Sequence, residues 1–155
     1  MTISTCDLYD ERGDELQSVT TQFISVGGVH QFTGPIRTVR CFESNVDVKE
    51  LVATPGEGAV LVVDGQGSMN CALLGDNVAR TAMENGWAGL VIYAPVRDRV
   101  ELGTLEIGVK ALGTNPRKSS PNDFGETDVI LNFGGVTFRP GKTLWADEDG
   151  ILVER

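Results

Sequence analysis

Apolar and polar positions along this chain switch between a two-residue and a three-to-four-residue rhythm, and the switches mark its elements. Thr33-Gly34-Pro35-Ile36-Arg37-Thr38-Val39-Arg40-Cys41 alternates, which predicts a strand with one solvated face. Ala59-Val60-Leu61-Val62-Val63 is continuously apolar and largely β-branched up to Asp64-Gly65, as in a strand buried on both faces. From Asp76 to Asn85 the apolar positions Val78, Ala79, Ala82 and Met83 keep helical spacing, and Gly86 ends the segment. Ala88-Gly89-Leu90-Val91-Ile92-Tyr93 predicts a second doubly buried strand. Strand, helix and strand with a short return form a right-handed parallel crossover.

The flanks are less regular. Ser4 to Asp10 predicts a short helix capped by Ser4. Asn45 to Ala53 predicts another, capped by Ser44 or Asn45, with Pro55-Gly56 just past its end. The last third predicts short strands at Leu105–Leu112, Asp128–Phe133, Val136–Phe138 and Gly150–Val153. No internal repeat, low-complexity tract or linker interrupts the pattern, so one α/β domain over residues 1–155 is expected.

Composition narrows the chemistry. With 41% hydrophobic and 23% charged residues the chain can build a packed core. No run approaches the ~18 apolar residues of a membrane span. The first residues, Met1-Thr2-Ile3-Ser4-Thr5-Cys6-Asp7, lack a basic start followed by an apolar stretch, so no secretory leader is expected. The three cysteines Cys6, Cys41 and Cys71 are widely spaced, which fits a reducing, cytoplasmic setting and small apolar residues packed inside. A net charge of -9 repels polyanions and argues against direct nucleic-acid binding. The single histidine, His30, rules out a multi-histidine metal site. Any catalysis therefore falls to carboxylates and arginines, with a hard cation that prefers oxygen ligands.

Two places can carry such chemistry. Gly75-Asp76-Asn77-Val78 opens the central helix, where unpaired amides and the helix dipole favour a carboxylate or phosphate. Asp76 can equally be a plain helix cap. Arg97-Asp98, with Glu101 three residues on, lies just beyond the second buried strand, where open α/β folds gather their ligands. A guanidinium there can hold a carboxylate or enolate in a two-pronged way, and the acids can hold a divalent cation. A solvated Arg-Asp pair is the competing reading. Gly65-Gln66-Gly67 lacks the third glycine and the immediate helix of a dinucleotide site. Ala146-Asp147-Glu148-Asp149-Gly150 reads as a solvated turn, without a calcium loop's alternation of ligands.

In combination these motifs resemble one family. Gly27-Gly28, Gly34 to Phe42, Val62-Val63-Asp64-Gly65, Gly75 to Ala79, Asn85-Gly86-Trp87-Ala88-Gly89, Val96-Arg97-Asp98 and Ala146 to Ile151 stand in the order of the RraA-like family. That family includes regulators of ribonuclease activity and 4-hydroxy-4-methyl-2-oxoglutarate aldolases. The resemblance implies a swivelling β/β/α domain assembled as a homotrimer, with sites near subunit boundaries. Arg97-Asp98-Arg99-Val100-Glu101 is similar to the aldolase members, whereas the best-known ribonuclease regulators lack the aspartate. Tyr93-Ala94-Pro95 departs from the glycine that members usually carry before the Arg-Asp step, which implies a shifted loop.

The resemblance also implies roles. Backbone groups of Gly75, Asp76, Asn77 and Val78 would hold the pyruvyl carboxylate of a small 2-oxo acid, and Arg97 its oxygen. Asp98 would be the direct protein ligand of Mg²⁺ or Mn²⁺, with Asp76 acting through water on the metal. The expected activity is a carbon–carbon lyase that cleaves 4-hydroxy-4-methyl-2-oxoglutarate and decarboxylates oxaloacetate, both through a pyruvate enolate. The alternative is a non-enzymatic regulator whose acidic surface docks on a ribonuclease. Methyltransferase names also attach to this family, but the sequence shows no methyl-donor site.

Overall fold

The apolar run after Ala59 lies in the middle of a sheet, and its two faces feed two separate cores. The computed structural model describes residues 2–155; Met1, which opens the stretch read for a leader, lies outside them. The strands are β1 (Leu16–Ser18), β2 (Ile24–Ser25), β3 (Phe32–Arg40), β4 (Val60–Asp64), β5 (Gly89–Val96), β6 (Gly108–Thr114), β7 (Glu126–Thr127), β8 (Leu131–Phe133), β9 (Val136–Phe138), β10 (Thr143–Asp147) and β11 (Gly150–Glu154). The helices are α1 (Thr5–Arg12), α2 (Val46–Val52), α3 (Asp76–Glu84) and α4 (Arg99–Leu102).

Strands β3, β4, β5 and β6 lie side by side and parallel, as the crossover pattern requires. Antiparallel strands extend both flanks: β2 pairs β6 on one, and β10, β11 and β1 continue from β3 on the other. Period-two geometry divides β4 between two cores. Leu61 and Val63 point into a core with Val48 and Val52 of α2, Ala79 and Ala82 of α3, and Leu102 of α4. Val60 and Val62 point the opposite way, into a core with Phe133 and Phe138 of the β8–β9 hairpin. Phe133 stacks between Tyr93 (centroids 4.4 Å apart) and Phe138 (4.6 Å), tying the hairpin to the sheet. Each such fully buried aliphatic or aromatic side chain is worth about 1.5–3 kcal/mol of transfer free energy.

Several expectations hold closely. Ser4 caps α1, its hydroxyl accepting from the Asp7 amide at 3.2 Å, and α3 ends before Gly86, whose φ is +81°. Asn45 stands at the start of α2, without a side-chain capping bond. Others are corrected. The strand expected over Asp128–Phe133 is confined to Leu131–Phe133, because Asp128 turns to φ +55° between β7 and β8 and accepts two hydrogen bonds from Arg37 (2.8 and 3.0 Å). The strand expected from Leu105 begins only at Gly108, and β1, β2, β7, β10 and the one-turn α4 are not among the expected elements.

The acidic Ala146–Gly150 stretch is only half a solvated turn. Glu148 and Asp149 turn the β10–β11 hairpin, but Asp147 is buried and accepts from the Thr5 amide and hydroxyl, both at 2.7 Å. The cysteines also divide. Cys41 and Cys71 are buried, burial pushing the Cys41 thiol up to about 12, while Cys6 is exposed. No helix among the described residues is long and apolar enough to cross a membrane.

Candidate active site at the start of the central helix

The site exists because β5 runs further than its apolar run. The strand continues through Pro95 to Val96, with a register shift against β6 between Ile92 and Pro95. Proline cannot donate to a ladder and is tolerated at such irregularities. The Pro95 carbonyl accepts from the Leu73 amide (3.0 Å), and the Arg97 amide donates to the Leu74 carbonyl (2.9 Å). These bonds lay the approach to α3 alongside the end of β5. Gly75 is thereby delivered against Arg97 and Asp98, outside the carboxyl ends of parallel strands.

Asp98 takes an unusual backbone conformation, φ +61°, in the left-handed region that aspartate tolerates better than most residues. In this conformation its Oδ2 accepts from the Asp76 amide at 3.1 Å. The cap of α3 therefore comes from another element. Gly75 is the N-cap residue, and a Cβ there would stand 2.7 Å from Asp98 Oδ2 and 3.5 Å from Arg97 Cγ. Asp76 does not cap the helix; its carboxylate faces Arg80 at 3.7 Å, one turn along. Asp98 is exposed and Arg97 half-buried. No ion pair joins the two among the described residues, and Arg97 Nη1 reaches the Pro116 carbonyl at 3.4 Å.

A cavity of about 170 Å³ lies at this junction. Gly75, Asp76, Asn77, Val78, Arg97 and Asp98 all line it, so the residues expected at the site, Glu101 excepted, are gathered in one place. The first internal bond of α3 runs from Ala79 to the Gly75 carbonyl (3.1 Å), and the amides of Asn77 and Val78 precede it, where a helix has no acceptor of its own. Besides Ala72 and Leu74 on the approach to α3, the lining takes in Asn45 at the start of α2, Lys49 on it, and Lys118 and Ser119 from the loop after β6, the last four all polar. The sequence reading missed these four, and no local motif could have revealed them. Lys118 and Ser119 arrive on a loop held by tertiary bonds, Ala72 amide to Arg117 carbonyl (2.9 Å) and Asn115 amide to Val96 carbonyl (3.0 Å). Glu101 is exposed on α4 and stands outside the cavity lining.

The charges suit an anion. Lys49, Arg97 and Lys118 oppose Asp76 and Asp98, three cations to two anions, in a chain whose overall charge is -9. The donor set also fits a hard divalent cation. Asp98 spends Oδ2 on the Asp76 amide, while no hydrogen bond among the described residues engages Oδ1. No group of three or more potential metal-ligating side chains gathers among the described residues, so a cation here would rest on Asp98 and on water. The Gly65-Gln66-Gly67 turn is tied to its own surroundings, with Gly65 buried and Gln66 exposed. A Cβ at Gly65 would stand 2.7 Å from Leu73 Cδ1, and the Gln66 amide donates to Asp64 Oδ1 at 2.8 Å.

Comparison with known proteins covers nearly the whole chain. The family model RraA-like (Aldolase/RraA) matches residues 4–153. A protein of Alkalilimnicola ehrlichii named "Putative 4-hydroxy-4-methyl-2-oxoglutarate aldolase" is 52% identical over 100% of this chain and 96% of its own. One of the same name from Halorhodospira halophila is 50% identical over 99% and 94%. Among solved structures, the RNA-processing inhibitor RraA of Thermus thermophilus is 45% identical with a TM-score of 0.95, over 99% of this chain and 93% of that one. A Geobacillus kaustophilus structure described as an S-adenosylmethionine:2-dimethylmenaquinone methyltransferase is 49% identical with a TM-score of 0.96, over 98% and 94%.

Proposed function

This chain belongs to the RraA-like family, and from that premise we propose that it is a divalent-metal-dependent lyase cleaving 4-hydroxy-4-methyl-2-oxoglutarate to pyruvate. The observation that carries this reading is the convergence of Asp98 and Arg97 on the backbone of Gly75 at the start of α3. The amides of Asn77 and Val78 hold the C1 carboxylate of the substrate, helped by the helix dipole. Arg97 reaches the C2 oxygen and stabilises negative charge as it develops there. Asp98 would hold Mg²⁺ or Mn²⁺, which would supply positive charge to stabilise the enolate. The C4 hydroxyl loses its proton, the C3–C4 bond breaks, and C4 becomes the carbonyl of one pyruvate. The bonding electrons pass into the enolate of the second pyruvate, which takes up a proton at C3. Asp76, on the first turn of α3, orients the water that carries the hydroxyl proton away. Decarboxylation of oxaloacetate yields the same enolate, so the site serves both reactions.

The test is pyruvate release by purified protein from 4-hydroxy-4-methyl-2-oxoglutarate and from oxaloacetate, with Mg²⁺ and with EDTA. Release that requires the cation supports the lyase. We further propose a homotrimer; light scattering should give about three times the 16.6 kDa chain mass, and a stable monomer at micromolar concentration would refute it. A second reading, a regulator that docks on a ribonuclease, draws on the 45% identity to the Thermus thermophilus inhibitor and on the acidic charge. Capture of an RNA-degrading enzyme that survives both chelator and Asp98→Ala would favour it.

A further inference from the structure

Lys110 is buried, at 3% exposure, and the chemistry around Gly75 makes no use of it. A lysine is almost never buried so fully without a charged partner. On β6, Val109 and Ala111 point into the core beneath the helices, so alternation sends Lys110 to the opposite face of the sheet. There its Nζ donates to the Oγ of Ser25, its cross-strand neighbour on β2, at 3.2 Å. An ammonium has three donors, and Lys110 joins no carboxylate within 4.0 Å among the described residues. Its side chain lines a cavity of about 70 Å³.

Two acids share that cavity, Glu148 and Asp149 at the turn of the β10–β11 hairpin. Each has one oxygen engaged: Gln31 Nε2 donates to Glu148 Oε1 (3.2 Å), and the Cys6 thiol to Asp149 Oδ2 (3.4 Å). No hydrogen bond among the described residues engages Glu148 Oε2 or Asp149 Oδ1. Burial pulls the Lys110 ammonium below its ordinary range, against the fields of Asp147 and Glu148. The Glu148 carboxylate is therefore close enough to be felt and too far to pair, and the cavity fills the gap. We propose that this cavity binds a small α-amino acid as its zwitterion, the carboxylate on Lys110 and the ammonium on Glu148 and Asp149. A lone anion would gain Lys110 but face two carboxylates, and a lone cation would meet a buried ammonium; a zwitterion satisfies both walls at once. The volume is well below the roughly 300–1,000 Å³ of pockets for drug-sized ligands, and Phe23 and Ile151 add apolar wall, so glycine and alanine are the size that fits. No residue lines both this cavity and the one at Gly75, and the inference stands apart from the lyase reading.

The test titrates isotope-labelled protein at neutral pH with glycine, L-alanine, acetate and methylammonium, following the backbone amide resonances of Gln22, Phe23, Asp149 and Ile151. Acetate carries only the negative half of the ligand and methylammonium only the positive half. Glycine and alanine should saturate these resonances, with at least about tenfold higher affinity than either half, the worth of one hydrogen bond to a charged group. Lys110→Met should abolish saturation by glycine. Because Lys110 is buried, a second variant on the exposed turn guards against misfolding. Glu148→Gln keeps an oxygen for Gln31 and loses the charge, and it should weaken glycine by about three- to fivefold while leaving acetate no weaker. Failure of glycine to saturate the resonances overturns the proposal. So does binding of acetate or methylammonium as tight as that of glycine, or an unchanged glycine affinity in either variant.

Discussion

Asp98→Asn separates the charge of Asp98 from its structural part, because the structure assigns each a different atom. Oδ2 accepts the Asp76 amide at 3.1 Å, and the amide oxygen of asparagine can accept the same bond. The backbone at φ +61° is also one that asparagine tolerates. Helix start and local fold should therefore survive, with stability changed by no more than about 0.5 kcal/mol. The negative charge facing the cation site is lost, and with it the cation that stabilises the enolate. Losses at comparable electrostatic positions run to a hundredfold or more, about 2.7 kcal/mol of transition-state stabilisation. Asp98→Ala should lose the same activity and also the cap, at about 1 kcal/mol, plus about 1–2 kcal/mol for alanine in the left-handed region. The assay is pyruvate release at saturating Mg²⁺ beside urea unfolding of each variant. Full activity in Asp98→Asn, together with indifference of the wild type to EDTA, would refute the metal-lyase mechanism.

Gly75→Ala should lower pyruvate release by about tenfold or more, because the new Cβ would stand 2.7 Å from Asp98 Oδ2 and force that carboxylate aside. Its stability should fall by no more than the cap bond contributes, about 1 kcal/mol, since the displaced atom ends a flexible side chain; unchanged kinetics would show that the close approach is incidental. Arg97→Lys should also be damaging, because a point charge cannot reproduce the two-pronged guanidinium contact, and wild-type kcat in this variant would count against an enolate contact. Asp147→Asn tests the buried turn. Burial pushes the Asp147 carboxyl up, but the Thr5 amide and hydroxyl and the Asp149 amide outweigh it and hold it below the ordinary range. A carboxyl lowered on folding stabilises above its unfolded value of about 3.9, and that contribution fades as pH falls through the folded value. The substitution should cost about 1–3 kcal/mol at pH 7 and less near pH 3; equal cost at both would refute the linkage.

Much of this protein was legible before any coordinates. The run through Val63 and the Val78-Ala79-Ala82-Met83 spacing identify a strand and a helix from hydrophobic period alone, since a strand buried on both faces tolerates no polar position and an amphipathic helix needs one apolar stripe. The crossover hand then follows from chain geometry, which is why Gly75 and Arg97-Asp98 could be expected on one side of the sheet. Short strands such as β1 and β2 carry too few residues to show a period, and β10 was masked by the acidic turn beside it. Their existence is decided by pairing partners distant in sequence. The site divides in the same way. Its motif residues were readable, because a helix start and a strand end have local signatures. Lys49 and Lys118 were not, because a solvated lysine and one facing a cleft look alike along the chain. For Lys118 the difference is made by the backbone bonds of Ala72 and Asn115 that hold its loop, and those contacts exist only once the sheet has formed.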